Sequence, residues 1–262
     1  MLRESQAIVL AGRKLGEADT LVTILTWDHG LLKGVAKSAR RMKNRFGSAV
    51  QPFSYGQAIW FETRADALRR INHLDTLHSF RGLREDFDLL GHAAVMANAA
   101  RRLLPEEQPA RETFAALLRG FHALEAGADG GRTVLFFLLA LAQAAGYQPR
   151  VDRCLIGHHP VVDGRAGRWL FIPELGGTVC APCYGGSRRA VPSQAGVELS
   201  AAAHAFLRHV IRLPHGLRDR LKAEPELIQT ARLVVESVIM EHARRLTKRP
   251  VPGRTVSPLG SR

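Results

Sequence analysis

Three cysteines have the spacing of metal ligands. Cys180 and Cys183 form a C-x-x-C pair, and Cys154 precedes them in the chain. Two thiolates at this spacing can bind one tetrahedral ion, usually zinc, which then needs further ligands. We expect an imidazole to complete the set, with His158 as the first choice and His159 as the second. Such a zinc would be structural, because the surrounding segment has little apolar surface to bury.

The alternative is a pair of metal-free loops that carry leftover thiols. A second C-x-x-C pair would need a cysteine at position 157, where this chain has Gly157. An odd number of cysteines, two of them close neighbours, also argues against a disulfide framework and favours metal-binding or structural thiols. The cysteines therefore predict either a Cys3His zinc site or unbound thiols.

The second chemically suggestive feature is a run of cations with no acidic residue among them. It leaves a predicted strand and enters a loop, and two cations earlier in the chain extend it. Cations beside a small barrel can follow a phosphate backbone, whereas the alternative is a solvated loop. The predicted nucleic-acid-binding residues are Arg13, Lys14, Lys33, Lys37, Arg40, Arg41, Lys43 and Arg45.

Aromatic residues close to this run are candidates for stacking on unpaired bases. For any one of them, the alternative is a place in the core of the barrel. They are Trp27, Phe46, Phe53, Tyr55 and Trp60.

Signatures of several enzyme classes are missing. The chain has no G-x-x-x-x-G-K-[ST] segment, which excludes a P-loop ATPase. No histidine is followed two positions later by Glu, as a zinc deaminase requires. Thiol oxidoreductases usually open a helix with their C-x-x-C, whereas Cys183 is followed by Tyr184-Gly185-Gly186. We therefore expect no catalytic activity.

The overall charge favours a polyanionic partner. The chain has 37 basic and 24 acidic residues, for a net charge of +13. Such a surplus attracts nucleic acid, although a preference for arginine codons in the genome also contributes to it. No apolar run reaches the length of a membrane span, and the first residues do not resemble a signal peptide. We expect a cytoplasmic protein without a membrane partner.

Residues 1–79 have the pattern of five short strands. Segments 7–10, 20–25, 31–36, 57–62 and 67–74 are rich in β-branched and apolar residues, and Trp27-Asp28-His29-Gly30 is typical of a hairpin turn. Five short strands without a long helix indicate a small barrel. The fold class is therefore α+β and multidomain, with the barrel first.

Helical periodicity begins near Phe80 and defines a mainly α-helical domain over 80–147 and 193–247. We predict helices over 83–101, 113–124, 132–145, 195–211 and 227–246, with Gly146 ending the third. Because the third helix is apolar almost all round, its central residues should be core: Leu135, Phe136, Leu138, Leu139 and Leu141. An insertion, 148–192, contains the cysteines and a predicted strand at 168–172, and 248–262 is expected to be a disordered basic tail.

The order of these parts resembles the RecO family of DNA repair proteins. The resemblance runs from about residue 4 to residue 247. It is carried by Glu17-Ala18-Asp19, by Lys33-Gly34-Val35-Ala36-Lys37, by segment 68–80 and by the cysteine insertion. None of these segments is unique, and their order and spacing together make the match.

The resemblance implies an N-terminal OB-fold followed by a helical domain with a zinc-finger-like insertion. It also implies a mediator of recombination that binds single- and double-stranded DNA and anneals complementary strands. Its implied partners are the C-terminal tail of single-stranded-DNA-binding protein, RecR and, indirectly, the recombinase RecA, with a place at the nucleoid. Gly157 departs from the four-cysteine pattern of the family. The alternatives are an RNA-binding OB protein and a non-catalytic scaffold for protein interactions.

Overall fold

The N-terminal residues form a closed five-stranded barrel. A computed structural model describes residues 1–41, 43–62, 68–160, 168–186 and 196–248 of the chain. The strands are β1 (Leu2–Leu15), β2 (Asp19–Thr26), β3 (Gly30–Ala36), β4 (Tyr55–Phe61) and β5 (Arg69–His78), and they close in the order β1-β2-β3-β5-β4. The barrel expected for an OB-fold is confirmed. Its interior is filled by inward residues that include Val9, Ile24, Leu32, Trp60 and Ile71.

The turn between β2 and β3 depends on a glycine. Gly30 has φ +68°, and a Cβ atom at this position would lie 1.8 Å from the carbonyl oxygen of Gln108. The backbone amide of Glu107 also donates to the carbonyl oxygen of Leu31, at 3.0 Å. The end of this hairpin is therefore packed directly against the chain that joins two helices of the following domain.

The second part of the chain is mainly helical. Its helices are α1 (Gly82–Glu85), α2 (Phe87–Leu103), α3 (Arg111–Glu125), α4 (Gly130–Ala144), α5 (Ala181–Gly186), α6 (Ala201–Arg212) and α7 (Pro225–Lys248), with a 3-10 helix at His215–Arg220. Helix α4 lies at the centre and packs against α2, α3 and α7. Gly146 follows it with φ +78°, as expected for a helix-closing residue.

One predicted core residue of α4 is not buried. Leu135, Leu138, Leu139 and Leu141 are buried, but Phe136 is only half-buried. Its ring faces a groove and has the guanidinium of Arg218 5.5 Å from its centroid. The helix is apolar almost all round because one of its faces forms the apolar floor of this groove.

The barrel and the helices share one hydrophobic core. Outward-facing barrel residues, among them Ile8, Leu10, Leu25 and Leu31, belong to the same cluster of buried side chains as Phe80, Phe114, Phe121 and Leu135. Helices therefore cover part of the outer surface of the barrel. The outer surface around Leu21 and Val35, further along β2 and β3, is only half-buried and is called the open side below.

A small sheet that also joins the helical core takes two strands from the insertion and one from the segment that follows it. Its strands are β6 (Arg168–Ile172), β7 (Gly177–Cys180) and β8 (Val197–Ser200), in the order β7-β6-β8. Strand β6 was predicted at these residues. The helix predicted from residue 195 instead begins at Ala201, because residues 197–200 pair with β6 and the Ser200 hydroxyl caps α6 by accepting from the amide of Ala203 at 3.1 Å.

No helix in the described part of the chain is long and apolar enough to cross a membrane. Apart from Lys248, the last residue of α7, the predicted tail lies outside the described residues.

We expect the substitution Gly30→Ala to lower the free energy of unfolding by about 2–4 kcal/mol, because it adds a collision with backbone to an unfavourable φ. Gly16→Ala is the matched control. Gly16 also has a positive φ, +58°, but a Cβ there would meet nothing within 4 Å, so its loss should be only about 1 kcal/mol. Urea denaturation measures both values, and equal losses would contradict the contact between the hairpin and Gln108.

Candidate nucleic-acid interface and metal centre

The open side of the barrel carries a row of residues set by strand register. Arg13 lies opposite Leu21, Leu21 opposite Val35, and Val35 beside Arg70, so all four point outward from neighbouring strands. Both arginines are exposed, and the two apolar side chains between them are half-buried. The row is thus a shallow apolar strip with a cation at each end.

Arg70 is the residue of this row that the sequence interpretation missed. It precedes the buried Ile71 in β5. Continuing the in-out alternation of β5 would have placed it outside the barrel. Its place in the same row as Arg13 could not be found that way, because it depends on the parallel pairing of β3 with β5.

The basic loop is the segment after β3 that carries Lys37, Arg40, Arg41, Lys43 and Arg45. It is anchored to the tip of the hairpin formed by β1 and β2. The guanidinium of Arg40 donates to the carbonyl oxygens of Gly16, at 3.3 Å, and Glu17, at 3.0 Å. The amide of Ser38 donates to Asp19 Oδ1 at 2.8 Å. Further along, Phe46 is buried in the barrel core. The loop is therefore held beside the open side of the barrel.

Two of the eight predicted cations are engaged within the protein. Lys33 forms an ion pair with Glu106, and Arg40 holds the hairpin tip. The other six are exposed and form no ion pair with any carboxylate in the described residues. They are Arg13, Lys14, Lys37, Arg41, Lys43 and Arg45. Arg69, next to Arg70, pairs with Glu107 at 2.7 Å and is not part of this free set.

The aromatic residues near the loop do not form an exposed stacking surface. Phe46 and Trp60 are buried inside the barrel, which confirms the alternative of barrel core for these two. Phe53 is buried in the core shared with the helices, where its ring packs against Phe121. Trp27 and Tyr55 are half-buried, and both rings pack edge-on against Phe114 of α3. Their positions reflect the contact between barrel and helices.

The three cysteines meet at the edge of the small sheet. Cys180 ends β7, Cys183 lies in α5, and Cys154 is buried in a turn before the sheet. The Nε2 atom of His159 lies 3.4 Å from Cys180 Sγ and 3.7 Å from Cys183 Sγ. All four ligand atoms lie within 4.8 Å of one another. Ligands of a tetrahedral zinc ion are separated by roughly 3.5–3.8 Å, so this set can hold a metal.

The fourth position belongs to His159, so the first choice of His158 is wrong. His158 adopts φ +53°, and its amide donates to the carbonyl oxygen of Cys154 at 2.9 Å, which closes a tight turn. The turn directs the next side chain, and not that of His158, toward the cysteines. A Cβ atom at Gly157 would lie 2.7 Å from the His159 ring and 2.8 Å from Cys183 Sγ. The imidazole therefore occupies space that a side chain at position 157 would need.

Without a metal the thiols differ in acidity. Burial by itself would raise the pKa of Cys154, but hydrogen bonds from the backbone of Cys180, Gly157 and Ile156 lower it to about 7. Hydrogen bonding to Cys180, together with burial, raises the pKa of Cys183 to about 11. Near neutral pH, Cys154 is therefore partly a thiolate, whereas Cys183 keeps its proton. Because cysteines bind a metal as thiolates, metal binding must release protons.

A groove between α3 and α4 carries arginines on its rim. Arg119, Arg132 and Arg218 surround a floor that includes Ala140 and Phe136. Arg119 is exposed, whereas Arg218 is only 5% exposed and donates to the carbonyl oxygen of Leu213 at 3.2 Å. Burial lowers the pKa of Arg218, and no carboxylate among the described residues pairs with it. A buried cation without a counterion favours an anionic ligand.

Comparison with known proteins agrees with this architecture. The family described as "Recombination protein O N terminal" matches residues 1–80, and "Recombination protein O C terminal" matches residues 84–250.

Proteins described as DNA repair protein RecO are similar over most of their length. That of Myxococcus xanthus is 34% identical over 246 residues, 94% of both chains, and that of Heliobacterium modesticaldum is 32% identical over 239 residues, 91% of this chain and 84% of the relative. The one from Rubrobacter xylanophilus is 39% identical over 183 residues, 70% of this chain and 71% of the relative. Because both halves of the chain match and the similarity extends over nearly all of it, the chain belongs to the recombination protein O (RecO) family of DNA repair proteins.

Proposed function

We propose that this protein is a recombination mediator that binds single- and double-stranded DNA and anneals complementary strands. The observation that carries the proposal is the set of six exposed, uncompensated cations on the open side of the barrel and its anchored loop. In this role it works in the cytoplasm at the nucleoid. Together with RecR it helps to load RecA onto DNA coated with single-stranded-DNA-binding protein.

The mechanism is electrostatic and uses no nucleotide and no catalytic group of its own. Each phosphate neutralised by a lysine or arginine releases condensed counterions, which drives binding. The apolar strip of Leu21 and Val35 gives the bases a surface to contact between Arg13 and Arg70. Cations on the protein also reduce the repulsion between two phosphate backbones, so complementary strands held together can pair.

We further propose that the α3–α4 groove receives the acidic C-terminal tail of single-stranded-DNA-binding protein. Arg119, Arg132 and Arg218 would pair with its carboxylates, while Phe136 and Ala140 would contact its apolar side chains. This places the partner's tail on the helical domain and leaves the open side of the barrel free for DNA.

Zinc is the metal that suits the Cys154, His159, Cys180 and Cys183 set, because thiolate and imidazole ligands in a closed tetrahedron are typical of structural zinc sites. These residues would hold zinc between the turn at 154–159 and the small sheet. The ion would supply stability to this segment and no chemistry to DNA binding.

The first test replaces Lys37, Arg41 and Lys43 together by Ala. We expect single-stranded DNA binding to weaken and the slope of log affinity against log salt to become less steep by about 2, since each contact contributes about 0.7. Fluorescence anisotropy with an oligonucleotide over a range of salt concentrations gives both quantities.

The charge-matched control removes Arg81, Arg168 and Arg212, which pair with Glu85, Glu198 and Asp152. It lowers the net charge equally but should leave the slope nearly unchanged. The same slope change in both variants would mean that net charge, and not the loop, drives binding. Equal affinity for RNA and DNA in competition would favour the RNA-binding alternative.

The second test concerns the groove. Arg119→Ala should weaken binding of a synthetic peptide with the acidic tail sequence by about 10-fold or more, because a charge-assisted hydrogen bond contributes about 1.5–3 kcal/mol. Arg168→Ala is the control, since Arg168 lies on β6 of the small sheet, does not line this groove and pairs with Glu198. Isothermal titration of the peptide measures both, and equal affinities would exclude this groove.

Pull-down of the tail without DNA, combined with unchanged DNA affinity in the loop variant, would favour the scaffold alternative.

The third test exchanges the fourth metal ligand. The wild-type protein should contain about one zinc per chain, and Cys183→Ser should lose it. Gly157→Cys alone should bind zinc poorly, because its side chain collides with the His159 ring. Gly157→Cys combined with His159→Ala should restore about one equivalent through four cysteines. Metal analysis by mass spectrometry measures these contents, and full zinc in His159→Ala alone would contradict the assignment of His159.

A further inference from the structure

A second group of metal-binding side chains lies where the barrel meets the helical domain. His78 is the last residue of β5, and His122 and Glu125 lie on α3. One ligand atom from each of the three lies within 4.8 Å of the others, and His78 Nε2 is 2.6 Å from Glu125 Oε2. This group shares no residue with the cysteine centre or with the open side of the barrel.

The three side chains are held in place by the buried joint beneath them. The ring of Phe80, which is fully buried, lies 4.3 Å from the His78 ring and 4.8 Å from the His122 ring. His122 and Glu125 are three residues apart on one helix, so they project from the same face. Both imidazoles therefore rest on one anchored ring, which limits the conformations that they can adopt.

The group is open to solvent on its outer side. The side chains of His78 and Glu125 are 42% and 30% exposed. An ion can thus reach the site and keep water ligands after binding. Arg84, whose charge acts on Glu125, directs its guanidinium to the carbonyl oxygens of Pro52 and Ser79, so the carboxylate remains available.

We propose that His78, His122 and Glu125 form a binding site for a divalent first-row transition metal ion, with water completing its coordination. Two imidazoles and one carboxylate suit ions such as Zn²⁺, Ni²⁺, Co²⁺ and Fe²⁺, whereas Mg²⁺ and Ca²⁺ prefer oxygen ligands alone. Binding requires only that the hydrogen bond between His78 and Glu125 open enough for the ion to enter.

An ion at this position would connect the last strand of the barrel to α3. A ligand that binds only the folded state stabilises it in proportion to the logarithm of its concentration over its dissociation constant. The joint between the DNA-binding barrel and the helical domain would therefore become more stable when the metal is present. His122 also borders the arginine groove, so the ion would lie at one end of that groove.

The test uses the full-length protein with its cysteine centre filled by Zn²⁺, followed by titration with Co²⁺. Zinc binds such a centre more tightly than cobalt, so it should stay in place. We expect one equivalent of Co²⁺ to bind, with visible d–d absorption but no thiolate charge-transfer band. The melting temperature should rise with Co²⁺ concentration.

His122→Ala and Glu125→Gln should each weaken Co²⁺ binding by at least about 10-fold, as expected for loss of a direct ligand. His73→Ala is the matched control, because His73 lies on the same strand and pairs with Asp75 at 2.7 Å, with no third ligand beside them among the described residues. It should leave Co²⁺ affinity unchanged. Glu125→Gln preserves the size of the side chain, so it tests the site even if His122→Ala folds poorly.

The proposal is overturned if Co²⁺ absorption shows only thiolate bands, if the zinc-filled protein binds no further equivalent, or if His73→Ala weakens binding as much as Glu125→Gln. In each of these cases the contact between His78 and Glu125 would be a simple hydrogen bond across the joint.

Discussion

The structure depends on the burial of one side of the barrel against the helices. Ile8, Leu10, Leu25 and Leu31 point out of the barrel and would be exposed in an isolated barrel of this sequence. Because they pack with Phe114 and Phe121 into a single core, the barrel has a covered side and an open side. Trp27 and Tyr55 pack against Phe114 on the covered side, whereas the exposed cations lie on the open side and its anchored loop. The same packing brings β5 to α3, where His78 meets His122 and Glu125.

Arginine and lysine residues have two distinct roles in this protein. Some are committed to internal contacts, such as Arg40 at the hairpin tip, Lys33 with Glu106 and Arg69 with Glu107. Others, such as Lys37 and Arg41, are exposed and have no carboxylate partner among the described residues. The committed residues hold the loop and strand ends in position for the free ones. A net charge of +13 describes a general attraction to polyanions, whereas in the proposed function the unpaired cations determine where the polyanion binds.

The position of the His159 imidazole in the cysteine group depends on the absence of a side chain at residue 157. Gly157 removes a side chain from the turn, and His159 extends into the space thus vacated. The left-handed conformation of His158 between them makes this possible, since it reverses the chain within a few residues. The donor set is three sulfurs and one nitrogen, and the small sheet that supports it packs against the helical core.

The secondary structure and the possibility of a metal site could be predicted from the sequence alone, because both depend on residues that are close together in the chain. Alternation and β-branched residues identified the five barrel strands and β6, periodicity identified the long helices, and the spacing of Cys180 and Cys183 indicated a metal centre. Only the tertiary structure decided which histidine faces the cysteines, because the backbone conformation of the turn sets the direction of each side chain in it. The same holds for Phe136, which is apolar but lies over a groove, and for Arg70, which belongs to the same row as Arg13 only because β3 pairs with β5. Residue types and periods depend on near neighbours in the chain, whereas the contact of His78 with α3, and the row that Arg70 shares with Arg13, depend on how separate elements pack.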